Sequence, residues 1–154
     1  MTATKGLEGI VAAQSSISSI MDDQLTYVGY NIDDLAENAS FEEVVYLLWN
    51  KRLPNQSELD AFKNELDENM ALPEGVINHL RSYDLSSVHP MAALRSAISV
   101  LGLYDEEADI MDDEANTRKA IRLQARIASV VAAFARIRKG QNPVQPKKRY
   151  WVCS

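Results

Sequence analysis

The stretch from Glu114 to Lys139 holds neither proline nor glycine, opens on Asp112, Asp113 and Glu114, and closes on Arg136, Arg138 and Lys139 before Gly140. Acidic residues at the start and basic residues at the end suit the helix macrodipole, and a glycine just beyond is a left-handed stop signal. This predicts one long helix over 114–139. From Ile127 to Ile137 it is apolar nearly all round, with only Ser129 and Arg136 interrupting. Such a helix has to be covered on several sides, which a chain of 154 residues can hardly do by itself. The expected patch left bare is Val130, Val131, Phe134 and Ile137.

The rest of the chain carries helix punctuation as well. Asn31 caps a short turn through Ala36, and Ser40 with Glu43 forms a capping box for a helix to about Asn50, burying Phe41, Val44, Val45, Leu47 and Leu48. Asn55 with Glu58 repeats the box ahead of Leu59, Phe62, Leu66 and Met70. Pro73 opens a helix carrying Val76, Ile77 and Leu80; Pro90, after His89, opens another with Met91, Leu94, Ile98 and Leu101 on one stripe and Gly102 near its stop. Residues 105–113 are predicted as an acidic loop or frayed turn. Only Gly6 to Tyr30 has a strand-like pattern, read as a small hairpin of Ile17–Met21 and Leu25–Tyr30 around Asp22-Asp23-Gln24. The predicted fold class is all-α with a small N-terminal β-hairpin, in one domain.

Charge is unevenly placed. The net charge of −6 hides 6 Lys/Arg against 19 Asp/Glu in residues 1–111, and 10 against 3 in residues 112–154. The two halves face each other or a partner subunit, or the basic half binds anions. Arg118, Arg122 and Arg126, at i, i+4 and i+8, form one basic ridge, but no aromatic residues interleave it, which argues against nucleic acid. The densest apolar run, Val130 to Ala135, is too short to span a bilayer, and Glu8 falls where a signal peptide needs apolar residues. With Cys153 the single cysteine, a cytoplasmic location is expected.

Catalytic signals are sparse. His79 and His89 have no Cys/His partner at ligand spacing, so no metal site is expected. The pairs Asp22-Asp23, Asp33-Asp34, Glu42-Glu43 and Asp112-Asp113 read as caps and solvated faces. No glycine-rich phosphate loop is present. His89 lies near Ser86 and Ser87, as a general base would, but also stands where a helix begins.

Five phrases in order carry a resemblance: Gly6-Leu-Glu-Gly-Ile-Val-Ala to Leu25-Thr-Tyr-Val-Gly-Tyr-Asn-Ile-Asp-Asp-Leu-Ala36; Ser40-Phe-Glu-Glu-Val-Val-Tyr-Leu-Leu-Trp49; Arg52-Leu-Pro-Asn55; His89-Pro-Met-Ala-Ala-Leu-Arg-Ser-Ala-Ile98; and Arg118-Lys-Ala-Ile-Arg-Leu-Gln-Ala125 to Gly140. Together they resemble the N-terminal part of the citrate synthase family, in the shorter bacterial form that includes 2-methylcitrate synthases. The resemblance covers about residues 3–146, and the domain expected is 1–146.

The resemblance implies a transferase that joins acetyl-CoA to oxaloacetate in the tricarboxylic acid cycle, with one His and an Asp enolising the acetyl group and a second His activating the ketone. Those residues belong to later phrases that have no counterpart here after Gly140. No catalytic, cofactor-binding or metal residue is therefore carried over, the main acetyl-CoA region is lacking, and the 154 residues are expected to be inactive alone. The resemblance further implies a homodimer through helices near 90–103 and 114–139, with no nucleic-acid or membrane partner. Ala128 stands where relatives often have proline, and its absence should straighten the long helix.

The rival reading is an independent helical interaction or anion-binding module using Arg118, Arg122 and Arg126. Residues 147–154 depart abruptly from the family. Deleting one base from a purine-rich coding of Lys147-Lys-Arg-Tyr-Trp-Val would restore the family phrase Asp-x-Gly-x-Ala, so they are read as an out-of-frame tail in which Trp151 and Cys153 have no selected role.

Overall fold

The computed structural model describes residues 14–21 and 23–146. Gly6 to Ala13, Asp22 and the tail at 147–154, on which parts of the sequence reading fall, lie outside the described residues. The chain divides into two compact units, residues 1–62 and 63–154.

In the first unit, β1 (Ser18–Met21), β2 (Gln24–Tyr27) and β3 (Tyr30–Asn31) form an antiparallel sheet in the order β1-β2-β3. The expected hairpin is present as β1 and β2, and its bounds shift: Gln24 begins β2 rather than ending the break, and Tyr30 belongs to a third strand. Val28 at φ 52° and Gly29 at φ 86° reverse the chain between Tyr27 and its partner Tyr30. Two successive positive φ angles match the twist of the flanking strands. Across β1 and β2 the Ser19 and Thr26 hydroxyls lie 2.8 Å apart.

Asn31 then caps α1 (Ile32–Asn38), its side chain accepting the Asp33 N–H at 2.8 Å; the helix runs two residues past Ala36. The capping box of α2 (Phe41–Asn50) is present, with the Ser40 N–H donating to Glu43 Oε2 at 2.7 Å and the Glu43 N–H reaching Ser40 Oγ at 3.4 Å. Val45 and Leu47 are buried as expected, but Phe41 is 55% exposed. It borders an open apolar cleft with Tyr27, Ile32, Leu35 and Val44. Glu42, read as solvated, is buried instead.

α3 (Gln56–Glu68) repeats the reciprocal cap, with the Glu58 N–H on Asn55 Oδ1 at 3.0 Å and the Asn55 N–H on Glu58 Oε2 at 2.9 Å. Glu58 is also gripped by both terminal nitrogens of Arg52, at 2.6 and 2.8 Å, which holds its carboxyl down at about 2. α3 stops before Met70, so the expected stripe ends at Leu66.

The second unit packs α4 (Glu74–Arg81), α5 (Pro90–Gly102) and α6 (Asp113–Arg138) around Val76, Leu80, Leu85, Ala93, Ala97, Leu101, Val130, Ala133 and Phe134. Val76, Ile77 and Leu80 are buried as the sequence implied. On α5 the buried line is Ala93, Ala97 and Leu101, while Met91 is 63% exposed. The buried face is thus offset from the stripe of large residues, because small side chains let neighbouring helices approach closely and then fill the seam. Leu94 and Ile98 pack against its edge. Gly75 makes room for a neighbour: a Cβ there would lie 1.7 Å from the Tyr104 hydroxyl.

α6 starts on the Asp112 side chain, which accepts the Ala115 N–H at 2.7 Å, and runs through Ala128 without interruption. It ends as predicted at Gly140, φ 70°, with Gly140 N–H on Ile137 O at 2.8 Å and Gln141 N–H on Arg136 O at 2.9 Å. This pair of bonds satisfies two orphan carbonyls of the last turn. Of the expected bare patch only Val131 is exposed: Val130 and Phe134 are buried in the unit's own core, the partly buried Ile137 packs against it, and the exposed apolar stripe is Leu123, Ile127 and Val131. No helix among the described residues is long and apolar enough to cross a membrane.

Candidate functional site

The charged feature of most interest is the ridge on α6, and the loop between α5 and α6 decides its chemistry. Within that loop the Glu107 N–H donates to Asp105 Oδ1 at 3.0 Å, folding the segment into a turn that aims both carboxylates at α6. Arg122 meets Asp105 through two parallel hydrogen bonds, Nε to Oδ2 at 2.9 Å and Nη2 to Oδ1 at 2.7 Å. Its Nη2 also lies 2.8 Å from Glu107 Oε2. Arg118 grips the same Glu107 through Nε at 2.9 Å and Nη2 at 2.5 Å. Lys119 donates to the Ile110 carbonyl, pinning the end of the loop.

Burial sharpens the pairing. The Arg122 and Asp105 side chains are 18% and 14% exposed. A bidentate pair with so little water around it is stronger than a solvated one, and far costlier to break. Burial pushes the Asp105 carboxyl up, yet the hydrogen bonds and charge of Arg122 outweigh it and hold Asp105 below the usual range. Glu107 is held down to about 2, chiefly by hydrogen bonds from Arg118 and then Arg122.

Arg126 differs from its two neighbours. Its Nε is buried without a hydrogen-bond partner, and burial first, then repulsion from Arg122, lowers its pKa against the pull of Asp105. It borders a cavity of about 230 Å³ with Lys119, Leu123 and Ile98. The ridge is thus not a free row of three cations. Arg118 and Arg122 are engaged by the protein's own carboxylates, and of the two readings of residues 105–113 the ordered acidic loop holds rather than the frayed turn.

The two histidines take structural places. His89 Nδ1 accepts the Met91 N–H at 3.2 Å and caps α5, as the helix-start reading required. Ser86 and Ser87, the hydroxyls a His89 base would have had to activate, donate instead to Asp84, at Oδ1 (2.6 Å) and at the carbonyl oxygen (3.1 Å) respectively. His79 Nε2 lies 2.8 Å from Ser96 Oγ, linking α4 to α5, with the Tyr83 ring edge-on at 5.0 Å. Neither Asp105 nor Glu107 stands out from the other acidic residues in the sequence. The available signal was the placement of an acidic loop directly before a basic helix face.

A second, apolar cleft of about 250 Å³ lies beside α6, bordered by Met70, Leu72, Ile77, Ala132 and Val144. Ser129 also borders it, and its buried Oγ has no partner.

The family model described as "Citrate synthase, C-terminal domain" matches residues 6–153. Citrate synthase 2 of Bacillus subtilis (strain 168) is 63% identical over 152 residues, covering 99% of this chain and 41% of the relative. The citrate synthase of Haloferax volcanii is 47% identical, covering 92% and 39%, and 2-methylcitrate synthase 1 of Corynebacterium glutamicum is 36% identical, covering 97% and 40%. The crystal structure of citrate synthase from Pyrobaculum aerophilum matches with a TM-score of 0.82 at 31% identity, over 93% of this chain and 38% of that one. The chain spans about two fifths of the length of these relatives. The name of the family model speaks of a C-terminal domain, so what the comparisons support is the family and not the N-terminal placement that the quoted phrases imply. By sequence over nearly its whole length and by fold, the chain belongs to the citrate synthase family.

Proposed function

We propose that these residues are the N-terminal helical portion of a synthase that condenses acetyl-CoA or propionyl-CoA with oxaloacetate, and that they supply scaffold and subunit contacts rather than catalytic groups. The observation that carries this is where the candidate reactive groups go. His89 caps a helix, Ser86 is bonded to Asp84, and Arg118 and Arg122 are locked onto Asp105 and Glu107. Each is consumed in holding α5, α6 and their loop. Enolising an acetyl group needs a positioned base and acid worth ~10²–10⁴-fold each, and the quoted phrases bring none with them.

The subunit contact assigned to this portion is a homodimer through α5 and α6. The stripe Leu123, Ile127 and Val131, with Met91 and Leu103 also exposed, supports it. A cytoplasmic location accords with the single Cys153.

The test is a thiol-release assay on the 154-residue protein with oxaloacetate and either acyl-CoA. Background rates are expected from this chain, with the full-length citrate synthase 2 of Bacillus subtilis as the positive control. Saturable turnover by the 154 residues alone overturns the scaffold reading. The rival anion-binding module retains one supporting observation, the buried Nε of Arg126 without a hydrogen-bond partner, beside Lys119 at the cavity. Phosphate or citrate binding that Arg126→Met abolishes would favour it.

A further inference from the structure

We draw no further inference here: the strongest candidate, the apolar cleft beside α6 bordered by Met70, Leu72, Ile77, Ala132 and Val144, carries nothing because nothing in the structure shows what covers it.

Discussion

The same substitution, glycine to alanine, should act with opposite signs at two ends of neighbouring helices. Gly102 is the last residue of α5, its backbone is not in the left-handed region, and a Cβ there meets nothing within 4 Å. Gly102→Ala therefore mainly removes freedom from the unfolded chain and is expected to stabilise by about 0.4–1 kcal/mol. Gly140 also has open space around a Cβ, but it sits at φ 70°. An L-residue pays roughly 1–2 kcal/mol for that conformation, and the same unfolded-state gain of about 0.4–1 kcal/mol offsets only part of it. Gly140→Ala should thus destabilise by on the order of 1 kcal/mol, unless the final turn opens and surrenders the bonds from Gly140 and Gln141, which costs more.

Both sites lie in the unit of residues 63–154, so urea denaturation followed by helical circular dichroism reads them on one scale. In a unit of this size each kcal/mol corresponds to roughly 4–8 °C in Tm. Gly140→Asn, which tolerates the left-handed region better than alanine, should fall between wild type and Gly140→Ala. If the two alanine variants shift the midpoint in the same direction, backbone conformation is not what distinguishes these glycines and the reasoning fails.

Leu80 is fully buried in the core of the second unit, and Leu80→Ala should cost about 2–5 kcal/mol in the same assay; a loss below about 1 kcal/mol would remove it from the core. Glu107 titrates at about 2 when folded against an ordinary 4.5, so its pairing stabilises fully above about 4.5 and is lost as pH falls through 2. Asp105, also held low, adds in the same direction. Glu107→Gln should flatten the Tm-against-pH curve below pH 4.5, and an unchanged slope would show that the carboxylate is not paired in solution. Changing Leu123, Ile127 and Val131 together to serine should shift sedimentation toward monomer while moving the denaturation midpoint little, since the three are exposed; undiminished association would place the subunit contact elsewhere.

What the sequence by itself determined is local. Caps and stops are written in residues three or four apart, so Asn31, Ser40 with Glu43, Asn55 with Glu58, His89-Pro90, Asp112 and Gly140 mark helix ends wherever the helices later pack. The order of family phrases, each short and contiguous, was legible for the same reason. Tertiary structure decided which face of each helix is covered. Met91 and Phe41 lie outside while Ala93, Ala97 and Glu42 lie inside, because burial depends on the shape of the opposing helix and not on hydrophobicity alone.

Tertiary structure also decided the fate of the arginine ridge. Spacing places Arg118, Arg122 and Arg126 on one side of α6, but whether they face solvent or carboxylates depends on a loop up to 17 residues away in sequence. That loop folds back to neutralise two of the three, and an i, i+4, i+8 pattern carries no record of it. Charge pairing at that separation is a property of the packed chain, because the Coulomb term becomes large only when packing excludes water from around the pair.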